Sequence, residues 1–262
     1  MKSKKSLGQH FLRSERALAK IIEVGQLTPQ DTVLEIGPGQ GILTEKLLET
    51  GSKVIAVEKD DELDKFLSQK FVREINSGRL DLIHEDILNF PTSNLQTYKL
   101  IANIPYNITG AILEKFLSTE NQPERIVLLI QREVAKRIVG KPFDSAQGKE
   151  SILSLSVKTY GTPHYIETVK AGSFVPMPKV DSAIISIEAI SKDFFQNFGE
   201  KDFFRLLKTG FSSKRKKLSS NLSNVFDKGE VEETFKKLGL DKNTRAEDLG
   251  LKMWGELASS VL

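Results

Sequence analysis

Thr32–Gly41 has the sequence TVLEIGPGQG, in which an apolar run passes directly into three glycines at alternate positions. This pattern is typical of a buried strand that turns tightly into a helix where the backbone approaches a ligand. The spacing Gly-x-Gly-x-Gly differs from the dinucleotide fingerprint, and no Lys-Ser or Lys-Thr pair follows to complete a P-loop. The stretch therefore predicts a ligand-binding strand end without naming the ligand.

On both sides of this run, short apolar stretches alternate with amphipathic stretches of helical period. We predict strands at 32–36, 53–57, 80–84, 100–102 and 126–130. We predict helices at 42–50, 61–75, 110–117 and 133–139. A repeated strand–helix unit favours a parallel sheet, so this part of the chain is predicted to be a doubly wound α/β domain.

The pattern changes after Gly140. Three further strands are predicted at 154–160, 164–169 and 182–188, without long helices between them, so we expect the last strands to pair antiparallel. The polar stretch 140–149 is predicted to be a surface loop, and the later helices are predicted at 203–211, 214–225, 231–238 and 251–262. We therefore predict an α/β domain over 1–190 and a small all-helical domain over 191–262.

Composition excludes several kinds of chemistry. The 262 residues include 38 Lys and Arg, 35 Asp and Glu, and no Cys, so disulfides, thiolate zinc sites and Cys nucleophiles are ruled out. No apolar run approaches the ~18 residues of a membrane span, and the basic, polar start has no hydrophobic signal region. We expect a cytoplasmic protein with no metal site and no membrane contact.

Two carboxylates follow the next two predicted strands. Glu58 ends the second strand, about 20 residues after the glycines, where a carboxylate can accept hydrogen bonds from both ribose hydroxyls. Asp86 follows the third strand and is a candidate acceptor for the exocyclic amine of a bound adenine. The alternative is that the glycines only shape a turn and the carboxylates cap helices. Because these strand ends meet at one sheet edge, we favour a nucleoside-binding crevice.

Asn103-Ile104-Pro105-Tyr106 follows the fourth strand at the same edge. Methyl transfer to an exocyclic amine requires acceptors that redirect its lone pair, and the Asn103 side-chain oxygen and the Ile104 carbonyl, aimed by Pro105, are candidates. Tyr106 offers a stacking face for a base, and Phe174 a second one. Catalysis would then be positioning and electrostatics without a strong general base. The alternatives are core packing for both rings and a turn role for Asn103.

The motifs together resemble those of the KsgA (RsmA) family of small-subunit ribosomal RNA adenine dimethyltransferases, nearly from end to end. The matching stretches are Ser6–Leu12, Glu35–Gly41, Asn103–Tyr106 and Phe174–Ser182. The resemblance implies a Rossmann-like class I methyltransferase fold, with a mostly parallel seven-stranded sheet covered by helices on both faces. It implies S-adenosyl-L-methionine as cofactor, contacted by His10, Leu12, Glu35, Gly37, Gly39, Gly41, Glu58, Asp86 and Asn103. It also implies that Asn103, Tyr106 and Phe174 hold the adenine.

The resemblance further implies the reaction and the partner. The expected substrate is two adjacent adenosines near the 3′ end of 16S rRNA in the assembling small subunit, each dimethylated by a monomeric enzyme. The sequence departs from the commonest family pattern at two places. His10 stands where Asn is frequent, and the stretch 147–154 lacks the expected Tyr-Gly pair before Leu-Ser.

No acidic residue occurs between Phe203 and Phe226. The basic residues of this stretch are Arg205, Lys208, Lys214, Arg215, Lys216 and Lys217. Such a cluster can bind phosphates and make affinity salt-dependent, although a solvated helix face is the usual alternative. The stretch 207–218 resembles the family's C-terminal helical segment, which favours an rRNA contact.

Three other functions remain open at this point. An oxidoreductase would use the glycines for a dinucleotide, although their spacing disfavours it. A non-catalytic assembly or transcription factor would use the same scaffold to bind RNA. A large-subunit rRNA adenine methyltransferase of the antibiotic-resistance type would share the catalytic motifs.

Overall fold

The computed structural model describes residues 9–140 and 149–262. The strands are β1 (Phe11–Leu12), β2 (Thr32–Ile36), β3 (Lys53–Glu58), β4 (Leu80–His84), β5 (Lys99–Asn103), β6 (Arg125–Gln131), β7 (Thr162–Val169), β8 (Phe174–Val175) and β9 (Ser182–Glu188). The α-helices are α1 (Glu15–Gly25), α2 (Ile42–Glu49), α3 (Asp61–Lys70), α4 (Val72–Asn76), α5 (Thr109–Ser118), α6 (Arg132–Val139), α7 (Ile152–Lys158), α8 (Glu200–Gly210), α9 (Leu218–Leu222), α10 (Lys228–Lys237) and α11 (Leu251–Val261). The predicted loop at 140–149 lies mostly outside the described residues.

Seven strands form one sheet in the order β4-β3-β2-β5-β6-β9-β7. The first five of these are parallel, and β9 pairs antiparallel with both β6 and β7. The predicted mostly parallel sheet with helices on both faces is confirmed. Leu34, Leu100 and Val127 are completely buried, because helices cover both faces of such a sheet.

The strand order reverses at β2, which has β3 on one side and β5 on the other. At such a switch point the loops after neighbouring strands diverge and open a crevice at their carboxyl ends. The glycine loop, residues 37–41, follows β2, and the tetrapeptide 103–106 ends β5. Topology therefore places both motifs at one crevice.

A small ladder joins the N-terminal segment to a later loop. β1 pairs antiparallel with β8, with Phe11 opposite Val175 and Leu12 opposite Phe174. The Arg13 backbone N–H adds a hydrogen bond to the Ser173 carbonyl oxygen at 2.8 Å. This ladder holds two sequence-distant motifs side by side.

The contacts of the chain divide into two compact units. The first contains the described residues up to Ala135 together with Thr162–Ile190, and the second contains those from Lys136 to Gly161 together with Ser191–Leu262. The sequence had assigned 136–161 to the α/β domain. The described part of that segment belongs to the helical unit, because α7 buries Leu155 in its core.

The core of the helical unit is strongly aromatic. Trp254 is completely buried and stacks on Phe211, with ring centroids 5.8 Å apart. Phe203 is equally buried and meets Phe194 edge-on at 5.0 Å. No strand occurs within 191–262, as the sequence predicted.

The predicted strand at 154–160 is wrong. This stretch is helical, because Ser151 and Ser154 form a reciprocal capping box in which each side chain accepts from the other's backbone N–H. The alternation of Ser with Leu155 and Val157 suggested a strand. The cap determines the local structure, and Leu155 is buried from a helix.

Two predicted helices are shorter or broken. The helix predicted at 61–75 is interrupted at Phe71, whose backbone leaves the helical region at φ −107° and ψ 27°. The helix predicted at 214–225 contains only Leu218–Leu222, because the cationic residues before Leu218 form a turn. Among the residues the structure describes, no helix is both long enough and apolar enough to cross a membrane.

Candidate active site

A cavity of about 370 Å³ opens at the carboxyl ends of the central strands. This volume is within the range of small-molecule binding sites. Its walls come from the stretches 9–12, 35–40, 57–59, 85–88 and 103–108, with a few side chains from α1, α2 and α3. Every predicted cofactor residue except Gly41 lines it, and so does the whole tetrapeptide 103–106.

The glycine loop has a backbone conformation that requires glycine. Gly37, Gly39 and Gly41 all have positive φ, at 62°, 60° and 76°. A Cβ on Gly41 would lie 2.5 Å from the Phe71 ring, so the helical region behind the loop also excludes a side chain. The glycines therefore allow the loop to turn tightly while its backbone faces the cavity.

Glu58 is buried and fully engaged by backbone N–H groups. Its Oε2 accepts from Gly39 N at 3.2 Å, and its Oε1 accepts from Lys59 N and Asp60 N, both at 2.9 Å. Burial raises the pKa of Glu58, and these hydrogen bonds oppose the rise. Asp60, and not Glu58, caps α3, so the helix-capping alternative for Glu58 is wrong.

Asp86 lines the cavity from a turn after β4. Its Oδ2 accepts from Lys59 Nζ at 2.7 Å, and its Oδ1 accepts from Leu88 N at 3.0 Å. Both contacts, led by that with Lys59, hold the pKa of Asp86 below its usual value. Asp86 is therefore a charged acceptor at neutral pH that also shapes its own turn.

Glu35 is a buried carboxyl group at the end of β2. Its Oε2 accepts from the Thr44 hydroxyl at 2.7 Å, which joins the strand to the first turn of α2. Burial is the main reason that its pKa rises to about 8, and the neighbouring Glu58 adds to the rise. Near neutral pH this group is mostly protonated, unlike Asp86.

The tetrapeptide 103–106 is held by the N-terminal segment. Asn103 Nδ2 donates to the His10 carbonyl oxygen at 3.0 Å, which leaves Asn103 Oδ1 as the accepting end of the amide. Pro105 has φ −58° and ψ 133°, an extended conformation that ends the strand before a short turn of 3-10 helix. Asn103 is thus an oriented residue at the cavity wall, and the turn-only alternative does not account for its contact with His10.

Tyr106 is oriented at both ends. Its hydroxyl lies 2.7 Å from Ser182 Oγ, and either oxygen can donate. Its ring stacks on His10, with centroids 5.7 Å apart and planes 23° apart. His10 Nδ1 is in turn 2.8 Å from the Pro176 carbonyl oxygen. Burial raises the pKa of Tyr106, so its phenol stays neutral.

The structure does not bring Phe174 into the cavity. Its side chain is only 2% exposed, belongs to the main hydrophobic core, and is not among the residues that line the cavity. Leu12, its partner across the β1–β8 ladder, does line the cavity. The core-packing alternative therefore describes Phe174, and the prediction that it faces the base is not met in this conformation.

Several contacts in this site were not predicted from the sequence. Ser182 positions the Tyr106 hydroxyl, Thr44 bonds Glu35, and Lys59 pairs with Asp86. The only sequence signal for Ser182 was a polar residue at the start of an apolar strand, where it is completely buried. The partners are 9 residues apart for Thr44 and Glu35, 27 for Lys59 and Asp86, and 76 for Tyr106 and Ser182, so no short motif contains any of these pairs.

Comparison with known proteins identifies the family. The sequence model described as "Ribosomal RNA adenine dimethylase" matches residues 1–261. A protein of Dehalococcoides mccartyi named "Ribosomal RNA small subunit methyltransferase A" is 41% identical over 98% of this chain and 88% of its own length. Its namesake from Thermosynechococcus vestitus is 38% identical over 97% and 95% of the two chains.

The chain belongs to the ribosomal RNA adenine dimethylase family.

Membership in the dimethylase family defines the cofactor as S-adenosylmethionine and the reaction as dimethylation of adenine in ribosomal RNA. The oxidoreductase alternative is thereby wrong.

Solved structures of methyltransferases have the same fold as this chain. A dimethyladenosine transferase from Plasmodium falciparum superposes with a TM-score of 0.81 at 26% identity, covering 95% of this chain and 96% of its own. The 23S rRNA methyltransferase ErmE superposes with a TM-score of 0.74 at 24% identity, covering 96% and 99%.

The cavity of this dimethylase-family chain fits its cofactor. Among the described residues that line it, Glu58, Glu85 and Asp86 face one Lys side chain, that of Lys59, and the fourth carboxyl group, Glu35, is mostly protonated near neutral pH. S-adenosylmethionine carries a sulfonium and an ammonium group, which an acidic cavity favours. The apolar side chains of the same wall suit the flat adenine ring.

The predicted RNA-binding residues lie in the helical unit of this family member. Arg205 and Lys208 are exposed on α8. Lys214, Arg215, Lys216 and Lys217 are exposed in the segment between α8 and α9, which we call the basic turn, residues 211–217. The structure therefore presents four consecutive cations from a turn and not from a helix face.

Proposed function

We propose that this chain adds two methyl groups to each of two adjacent adenosines near the 3′ end of 16S rRNA, within the assembling small ribosomal subunit. The observation that carries the proposal is the orientation of Asn103. Its amide is fixed by the bond to His10 at the wall of a nucleoside-sized cavity. A fixed acceptor beside a methyl-donor site is what an exocyclic amine requires.

The cofactor roles follow from the contacts of each residue. We assign Glu58 to the ribose hydroxyls, because a buried carboxylate pre-ordered by three backbone N–H groups is a rigid acceptor. We assign Asp86 to the exocyclic amine of the cofactor's adenine. The remaining cofactor contacts are assigned to His10, Leu12, Glu35, Gly37, Gly39 and Asn103, with Gly41 shaping the loop behind them.

The substrate roles concern the same wall. In the first transfer Asn103 Oδ1 and the Ile104 carbonyl accept the two amine protons, which turns the nitrogen lone pair away from the purine ring and toward the donor. In the second transfer one of them accepts the single proton that remains, and each transfer releases one proton to solvent. The bound cofactor supplies an electrophilic methyl group, so the protein needs no covalent nucleophile. Tyr106 offers its ring to the target base, and its phenol is held by Ser182.

Phe174 enters the proposal indirectly. Its ring is buried behind the β1–β8 ladder, so we assign it to holding Leu12 and the N-terminal segment against the cavity. A direct base contact would require this ring to leave the core. Pro105 has a similarly indirect role, because it ends the strand and aims the Ile104 carbonyl.

One observation supports the small subunit as the target, and a second supports contact with RNA. The relatives at about 40% identity carry the small-subunit name, whereas the large-subunit enzyme ErmE shares only the fold at 24% identity. The helical unit offers an exposed basic turn for RNA phosphates, together with Arg205 and Lys208. We further propose that the protein acts as a monomer in the cytoplasm.

The test is a methylation assay on purified ribosomal particles. Labelled S-adenosylmethionine is incubated with the protein and unmethylated small subunits, large subunits in parallel, and the digested RNA is analysed for modified nucleosides. We expect dimethyladenosine in two adjacent positions of small-subunit RNA only. The Asn103→Ala variant is expected to lose at least 100-fold in rate while still binding cofactor in a calorimetric titration.

Other outcomes would change the assignment. Labelling of the large subunit alone would favour the resistance-type activity. Full activity of Asn103→Ala would remove this residue from the chemistry. Rescue of a deletion strain by the inactive variant would show that assembly, rather than methylation, is the essential role.

A further inference from the structure

A single buried amide supports the basic turn. Asn221 belongs to α9, directly after the turn, and is only 1% exposed. Its Nδ2 donates to the carbonyl oxygen of Gly210 at 2.6 Å and to that of Ser213 at 3.1 Å. One side chain therefore joins the end of α8 to the middle of the basic turn.

The orientation of this amide follows from its partners. Both Nδ2 protons meet carbonyl oxygens, whereas Asn221 Oδ1 is buried without a hydrogen-bond partner among the residues the structure describes. Exchanging the two ends of the amide would place Oδ1 against two acceptors and leave the donors bare. The two donated bonds therefore define a specific link to the turn, and Asn221 is not simply filling space.

Both ends of the turn are anchored as well. At its start, Gly210 packs so closely on Trp254 that a Cβ would lie 2.5 Å from the indole ring. At its end, the Leu218 backbone N–H donates to the Thr244 carbonyl oxygen at 2.8 Å. Between these anchors the Lys216 N–H donates to Ser213, the same carbonyl that Asn221 holds, at 3.1 Å. The backbone is thus fixed while the cationic side chains stay exposed.

We propose that Asn221 is a positioning residue that holds Lys214, Arg215, Lys216 and Lys217 as an ordered cationic surface for an RNA phosphate backbone. The inference rests on the proposed function, since it assumes that the basic turn meets RNA. A turn that is ordered before binding loses less conformational freedom when it binds. An uncharged, buried side chain thereby contributes to an electrostatic contact.

The test compares Asn221→Leu with a charge-removing variant. Asn221→Leu keeps the branching of the side chain, with two heavy atoms on Cγ, and leaves the net charge unchanged but donates no hydrogen bond. The second variant replaces the four cations at 214–217 with Gln. Binding of each full-length variant to unmethylated small subunits is measured at several KCl concentrations, and amide hydrogen exchange over 211–218 is measured without RNA.

Two controls separate positioning from general destabilisation. Leu222→Ala weakens the same core without touching the Asn221 amide, and it is compared at matched loss of thermal stability. Asn224 is exposed and lies three residues after Asn221 in the chain. Asn224→Asp and Asn221→Asp therefore add the same negative charge, but only Asn221→Asp removes the hydrogen bonds to the turn. We expect Leu222→Ala and Asn224→Asp to keep parental RNA affinity within twofold and Asn221→Asp to weaken it, because it loses the Nδ2 donors.

The expected result for Asn221→Leu is faster exchange in the turn, about tenfold weaker subunit binding, and a raised KM for subunits with kcat and cofactor affinity unchanged. The four-Gln variant is expected to lose about three units of the salt slope, since each phosphate contact contributes about 0.7 to 0.9. Unchanged exchange in Asn221→Leu would overturn the proposal. The proposal would also be overturned if Asn221→Leu showed faster amide exchange in the turn but bound small subunits with parental affinity, while the four-Gln variant bound them poorly. Parental binding by the four-Gln variant would instead refute the RNA contact itself, and the inference with it.

Discussion

The cofactor crevice and the basic turn handle charge in opposite ways. In the crevice, the Glu58 carboxylate is buried and accepts three backbone N–H bonds before any ligand binds. In the basic turn, four cations are exposed, and one buried amide orders the backbone beneath them. The crevice thus holds individual acceptor atoms in place, whereas the turn holds only its backbone in place and leaves the cationic side chains exposed.

The difference reflects what each region must recognise. A nucleoside cofactor has hydroxyl and amine groups whose positions are constant, so rigid acceptors give affinity through a few short, charge-assisted bonds. A phosphate backbone is flexible and highly charged, and its contacts are long-range and screened by salt. Substitutions in the crevice should therefore have large effects that depend little on salt, and those in the turn small effects that depend strongly on it.

The largest effect is expected from the glycine loop. Gly41→Ala combines positive φ with a Cβ 2.5 Å from the Phe71 ring, so we expect a loss of about 3 kcal/mol in the free energy of unfolding. Gly37→Ala has positive φ but no heavy atom within 4 Å, so about 1 kcal/mol is expected. Urea denaturation measures both. Equal losses would mean that packing behind the loop is not tight.

Glu58 should dominate cofactor affinity. Glu58→Gln removes the charge from a buried acceptor, so S-adenosylmethionine should bind about 100-fold more weakly, which is about 2.7 kcal/mol. Isothermal titration calorimetry at two salt concentrations measures the dissociation constant of S-adenosylmethionine and its dependence on salt. Asp61→Asn, an exposed carboxylate three residues later, is the matched control and should bind as the parent.

Glu35 should make stability depend on pH. Its pKa is raised from 4.5 to about 8, so between these values the folded state keeps a proton that the unfolded state has released. The free energy of unfolding should then fall as pH rises through this window, by about 2 kcal/mol from pH 5 to pH 7. Glu35→Gln should flatten that part of the profile. If parent and variant lose stability in parallel, Glu35 is not the titrating group.

Asp86 should matter less than Glu58. Its Lys59 partner and its position in a turn leave it more exposed, with a side chain 27% accessible. We expect Asp86→Asn to weaken cofactor binding about tenfold, or about 1.4 kcal/mol. Because its pKa is lowered, the parental affinity should stay constant down to about pH 5 as far as this group is concerned. If Asp86→Asn lost as much cofactor affinity as Glu58→Gln, the prediction that Asp86 contributes less than Glu58 would be wrong.

The smallest effect is expected from a single cation of the basic turn. Arg215→Gln should weaken subunit binding about threefold at moderate salt and lower the salt slope by about 0.7 to 0.9. Cofactor affinity should not change, because Arg215 is far from the cavity in sequence and in a different compact unit. A loss that persists at high salt would indicate a specific hydrogen bond instead of a phosphate contact.

Sequence reasoning predicted the sheet well because each buried parallel strand carries its own signal. The bounds of β2 and β4 were predicted to the residue, and β5 and β6 differ by one residue at each end. It failed for 154–160, where a capping box outweighs an alternating pattern, and for 214–217, where charge favours a turn over a helix. In both stretches two local structures compete, and the residue types alone do not show which of them forms.

The sequence by itself determined the strand–helix order, and with it the crevice where Gly37, Glu58, Asp86 and Asn103 meet, because parallel strands end at one edge. Only the tertiary structure decided how those groups are oriented. The Asn103 amide is set by a carbonyl 93 residues away, and the Tyr106 hydroxyl by Ser182. It also decided that Phe174 is buried in the core. Side-chain orientation depends on neighbours brought together by folding, and no local pattern in the chain records them.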